Sequence, residues 1–140
     1  MLKSWSVCFA ASVLLMLLVL SPARAGDPPG NLWEMSSQMS MEGMPMAMPP
    51  NRLKVCTAKE WTKPPPGGDA SCVNSNFQRD GNKATWTMQC SGEMPMQGTG
   101  EITFDSADSY SGAIKATAEG MNMTIRLSGK KIGTCDKPVG

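Results

Sequence analysis

The 140-residue chain carries 13 Lys+Arg against 12 Asp+Glu and no histidine, a formal net charge of +1. So even a balance offers no basic patch for phosphates and argues against a nucleic-acid partner. Without histidine there is no Ser/His/Asp or Cys/His catalytic arrangement, and zinc, nickel and Cu(II) sites lose their commonest ligand.

The chain opens "MLKSWSVCFAASVLLMLLVLSPARAGD". Lys3 gives a positive start, Val7 to Leu20 is a nearly continuous apolar run, and Ala23-Arg24-Ala25 supplies a small-residue cleavage pattern. This layout predicts a secretory signal peptide over residues 1–25, cut before Gly26. Fourteen helical residues cover only about 21 Å, too short for a roughly 30 Å hydrocarbon core, so the run does not read as an anchor. Cys8 lies inside the run, not just after it where a lipid-attachment cysteine would sit. A soluble exported protein follows, with a single domain over 26–140 and, once Lys3 and Arg24 are gone, a net charge of −1.

From Asn31 to Glu42 the chain alternates, with Trp33, Met35, Met39 and Met41 on one parity and polar residues on the other. Period-two alternation predicts a strand with one buried face. Gly43 breaks the parity, and Met44, Met46 and Met48 resume on even numbers. Leu53 and Val55 predict a short strand running to Cys56, and "TAKEW" reads as one helical turn capped by Thr57. The Pro-rich "KPPPGGD" is loop. Asp80-Gly81 signals a hairpin between "CVNSNFQ" and "KATWTMQC", whose inward set is Ala84, Trp86, Met88 and Cys90. Met94, Met96, Ile102 and Phe104 share the next parity, "SADS" turns the chain, and Tyr110, Ile114 and Ala116 share the one after. Met121, Met123, Ile125 and Leu127 point inward in the last strand. The expected fold is all-β: seven to nine short strands in an antiparallel up-and-down meander, forming a small barrel or a strongly curved sheet.

Four cysteines remain after the signal peptide, which in an exported chain predicts two disulfides. Three pairings are open; Cys56–Cys72, stapling the Pro/Gly-rich segment, and Cys90–Cys135, tying a middle strand to the last, are favoured. The cysteines include no closely spaced pair of the kind zinc sites use.

A short echo recurs three times, as "EGMPM" (42–46), "GEMPM" (92–96) and "EGMNM" (119–123). In an extended chain the two methionines of each echo share a face, so the three clusters can line one cavity or one rim if pairing joins those strand ends. Met35, Met39, Met41, Met88, Met121 and Met123 follow the in-out pattern of core residues, and methionine packs irregular cores well. The proline-flanked Met44, Met46, Met48, Met94 and Met96 fit that pattern less well. The acids Glu34, Glu42, Glu93 and Glu101 fall on polar-face or turn positions and read as surface charge.

Taken in order, "PGNLWEMSSQMSMEGMPMAMPP", "VCT", "GNKATWTMQCSG", "GTGEITF", "DSYSGAIKATAEGMNMT" and "LSGKKIGTC" resemble the bacterial exported domain of unknown function family 3617, from about Gly30 to Cys135. The resemblance implies a small bacterial envelope protein and carries over no catalytic residue. The opening glycine and tryptophan are also similar to the first strand of lipocalin-like barrels, an analogy of fold alone.

The reading is therefore a periplasmic or secreted protein that is not an enzyme. Its leading expectation is a small apolar or amphipathic ligand in a cavity lined by Trp33, Trp86, Met44, Met46, Met48, Met94, Met96, Met121 and Met123. The first alternative is Cu(I) or Ag(I) bound by Met44, Met46, Met48, Met94 and Met96, with Met121 and Met123 nearby, because thioethers select soft monovalent metals. The second is a module that docks on another envelope protein through an exposed methionine patch.

Overall fold

The structure is a computed structural model that describes residues 26, 28–46, 48–66 and 70–139. The predicted signal peptide and Cys8 lie outside the described residues. Seven strands follow one another: β1 (Gly30–Met41), β2 (Asn51–Thr57), β3 (Cys72–Asp80), β4 (Lys83–Cys90), β5 (Met96–Ser106), β6 (Ser109–Ala118) and β7 (Met121–Cys135). They form one antiparallel sheet in the order β2-β1-β7-β6-β5-β4-β3, so the first strand pairs with the last and the rest is a meander.

The sheet is open, with β2 and β3 as unpaired edges, but it is far from flat. Six strand spacings separate those edges, which in a flat sheet would be roughly 29 Å. Yet Leu53 on β2 and Cys72 and Asn74 on β3 border the same cavity. The sheet therefore curls into a trough. Its concave side takes the odd positions of β1, β2 and β7 and the even positions of β4, β5 and β6, which is the expected parity. In β3 a bulge between Ser75 and Gln78, with Asn76 at φ 54°, shifts the parity. It lets Phe77 join the core.

A curled sheet has little room on its concave side, and glycines supply it. A Cβ on Gly100 would stand 2.1 Å from the Trp86 ring, and one on Gly129 the same distance from the Tyr110 ring. Gly100 is the cross-strand partner of Trp86, and Gly129 that of Tyr110. Each ring lies over its glycine, so a large residue fits where two ordinary side chains would collide. The Asp80-Gly81 hairpin forms as expected, and Glu119-Gly120 makes the β6–β7 turn with both φ angles positive, as a two-residue hairpin needs.

Two expectations fail. Residues 57–61 are not a helical turn: Thr57 ends β2 and its hydroxyl donates to the Ala58 carbonyl (3.2 Å). Trp61 is drawn into the core against Trp33, Phe104 and Tyr110, and the three prolines that follow cannot donate helical hydrogen bonds. The favoured disulfides Cys56–Cys72 and Cys90–Cys135 are also wrong; the bonds are Cys56–Cys135 and Cys72–Cys90. Cys72 sits directly opposite Cys90 in the β3–β4 register. Cys56, one residue before the end of β2, and Cys135, the last residue of β7, lie on the two strands that flank β1 and close on each other near its start to a Cα separation of 5.8 Å. Sheet neighbours, not nearness along the chain, decide which sulfurs meet.

Candidate functional site

The concave face divides by composition. At one end Trp33, Trp61, Phe104 and Tyr110 form an aromatic cluster with ring centroids 5.3–6.0 Å apart. At the other end lie the end of β1, the β4–β5 connection and the β6–β7 turn. These are the three methionine echoes. The antiparallel meander brings them to one edge of the trough, because Met41 pairs with Met123 and Met96 with Ala118.

Between the two ends lies a cavity of about 480 Å³. Met35 and Met39 of β1, Leu53 of β2 and Ile125 and Leu127 of β7 form one wall. Ile114, Met96, Trp86 and Met88 form the other, and Pro65 and Pro66 border it from the loop that links the two sheet edges. Met48 reaches it because the chain folds back along β1: Met48 N–H donates to the Met39 carbonyl (3.2 Å), and Gln38 Nε2 donates to the Met48 carbonyl (3.3 Å). Among the described residues the lining includes no Asp, Glu, Lys or Arg, and its polar side chains are Ser36, Ser37, Asn51 and Asn74. An apolar surface with a few polar groups is the usual make-up of a small-molecule pocket, and the volume falls in the usual range of about 300–1,000 Å³. A second groove, of about 530 Å³, lies beside Thr57, Trp61, Phe77 and Val139, and its described lining residues include no methionine.

Of the residues singled out by sequence, Met48, Trp86 and Met96 border the cavity. Met123 is buried just beyond it with Ala116 and Ala118, packed by Met39, Met41, Met88 and Met96. Met44, Met46 and Met121 are exposed on the rim, with Met46 82% accessible. Met94 lines a shallow crevice beside the Cys72–Cys90 disulfide. Trp33 belongs to the aromatic cluster instead of the cavity. Met35, Met39 and Met88, read as plain core, are cavity walls, as are Leu53, Ile114, Ile125 and Leu127. The signal for them was present: each shares the inward parity of its strand.

The rim is held by polar contacts. Glu42 N–H donates to the Asn122 carbonyl (3.0 Å), Asn122 Nδ2 to Glu42 Oε2 (2.9 Å), and Thr117 Oγ1 to Asn122 Oδ1 (3.1 Å). Among the described residues no group of three or more Cys, Asp or Glu side chains is placed to hold a metal ion. Thioethers are then the soft donors at this end. The strongest electrostatic perturbation is at the far end, where burial pushes the Tyr110 phenol well above its ordinary range.

A family model described as a protein of unknown function (DUF3617) matches residues 28–135. The chain is a DUF3617 protein. The matched span contains all seven strands and both disulfides, so the DUF3617 unit is the curled sheet itself. No curated protein and no solved structure matches this DUF3617 chain.

Proposed function

We propose that this protein is an exported, non-enzymatic binder of a small apolar or amphipathic molecule, held in the cavity between the methionine rim and the aromatic end. The observation that carries this reading is the 480 Å³ apolar space on the concave face, walled by side chains from both sides of the curl, with no charged group among its described lining residues. Methionine suits such a wall, since three rotatable bonds and a polarisable sulfur let it fit ligands of varied shape. The disulfides fit an oxidising compartment.

The test is a titration with the neutral dye N-phenyl-1-naphthylamine, following its fluorescence. Met39→Trp and Met88→Trp, which fill the cavity, should each weaken dye binding about tenfold or more by removing the space the ligand needs. Met46→Ser, on the exposed rim, should leave it unchanged. Dye binding that ignores both fillers, in variants with unchanged melting temperature, would sink the reading.

A second reading rests on a separate observation, the gathering of all three Met-x-Met echoes at one edge. That arrangement suits capture of Cu(I) or Ag(I) by thioethers from more than one loop. Anaerobic Cu(I) titration against a competing chelator decides it. Replacing Met44, Met46 and Met48 together with leucine should abolish competition; unchanged affinity removes this reading and leaves the dye result untouched.

A further inference from the structure

The methionines that border the apolar cavity are Met35, Met39, Met48, Met88 and Met96. Met35 is buried, and Met39, Met88 and Met96 are half-buried. Met48 is 51% exposed. The other exposed methionines of the rim, Met44, Met46, Met94 and Met121, do not line this space. Among the described residues, Met48 alone is a methionine that both borders the cavity and is open to solvent.

Its backbone is held in that place. Met48 N–H is bonded to the Met39 carbonyl of β1, and the Met48 carbonyl accepts from Gln38 Nε2. Pro49, itself a lining residue, follows with a ring that fixes φ. A chemical change at the Met48 sulfur therefore acts at the cavity border.

Thioethers are oxidised according to their exposure. With a peroxide, the sulfur lone pair attacks one oxygen, the O–O bond breaks, an S–O bond forms and water leaves. The sulfur gives up two electrons and the peroxide takes them. The product is a polar sulfoxide in a wall that was apolar. An apolar ligand pressed against it strips water from the new oxygen and returns no hydrogen bond.

We propose that Met48 is an oxidation-sensitive gate on the cavity, whose sulfoxide form lowers affinity for the apolar ligand. This rests on the apolar-ligand reading and adds a control to the same site.

The experiment treats the disulfide-bonded protein with dilute hydrogen peroxide, removes the excess with catalase, and titrates N-phenyl-1-naphthylamine before and after. Peptide mass spectrometry sets the dose at which Met48 is converted and Met39, Met88 and Met96 stay reduced. Each protein is compared with itself. Treatment should weaken dye binding by the original protein about tenfold. Met48→Leu should show no change on treatment, although its other rim methionines are oxidised. A protein with Met44, Met46, Met94 and Met121 all replaced by leucine should show the same loss as the original. Affinity kept after full conversion of Met48, a loss that persists in Met48→Leu, or oxidation of Met39, Met88 or Met96 ahead of Met48 would each overturn the gate. The cavity reading survives those results. If the untreated protein fails to bind the dye, that reading falls and the gate falls with it.

Discussion

Trp86 and Tyr110 occupy the concave face only because a glycine faces each of them across the strand pair. Gly129→Ala places a methyl group into the Tyr110 ring, and overpacking of this kind costs about 1–3 kcal/mol. Gly133→Ala, on the same strand, meets nothing within 4 Å and should change stability little. Urea unfolding of the two variants checks the contrast. Tyr110 itself has a pH signature. Its folded pKa is raised by burial, so the folded state holds the phenolic proton more tightly than the unfolded chain does. The associated stability is complete below the unfolded value of about 10 and is lost as the pH rises above it. Tyr110→Phe should therefore flatten the alkaline limb of the stability profile. At neutral pH it should cost nothing or add up to about 1 kcal/mol, since the hydroxyl is buried without a protein partner.

Gly43 breaks the in-out parity of the first strand in sequence, and β1 stops at Met41. Gly43 adopts φ 83°, and Met44 N–H donates to the Met41 carbonyl (3.3 Å), which turns the chain away. The same Met-x-Met spelling thus has three outcomes: exposed in the turn at Met44 and Met46, half-buried at Met96, and fully buried at Met123. Exposure controls thioether oxidation. Dilute hydrogen peroxide followed by peptide mass spectrometry should convert Met44, Met46, Met48, Met94 and Met121 to sulfoxides first. Met35 and Met123, 7% and 4% accessible, should remain reduced in the folded protein. Early oxidation of Met123 would contradict its place beneath the rim.

At the scale of the whole molecule, the disulfides hold the curl at opposite ends of the trough. Cys56–Cys135 closes a span of 79 residues and ties the first hairpin to the last strand, whereas Cys72–Cys90 closes 18 within one hairpin. Loop-closure entropy puts these at about 4–5 and about 3 kcal/mol respectively. Denaturant unfolding should therefore show a larger loss for Cys56→Ser with Cys135→Ser than for Cys72→Ser with Cys90→Ser. Cys56–Cys135 joins strands that only the sheet order brings together, and the sheet order is what a single chain conceals, whereas Cys72–Cys90 lies across one local hairpin. The alternation of Trp33, Met35 and Met39, of Ala84, Trp86 and Met88, and of Met123, Ile125 and Leu127 was legible because strand geometry imposes a period of two on each segment by itself. Asp80-Gly81 was legible because a tight hairpin needs a residue that accepts positive φ. Strand content, turn positions and inward faces were thus determined by the sequence alone. The pairing of β1 with β7, the Cys56–Cys135 bond and the meeting of the three methionine echoes at one rim were decided only by the tertiary structure. Those contacts join residues tens of positions apart, and their selection depends on how the whole sheet curls, not on any local pattern.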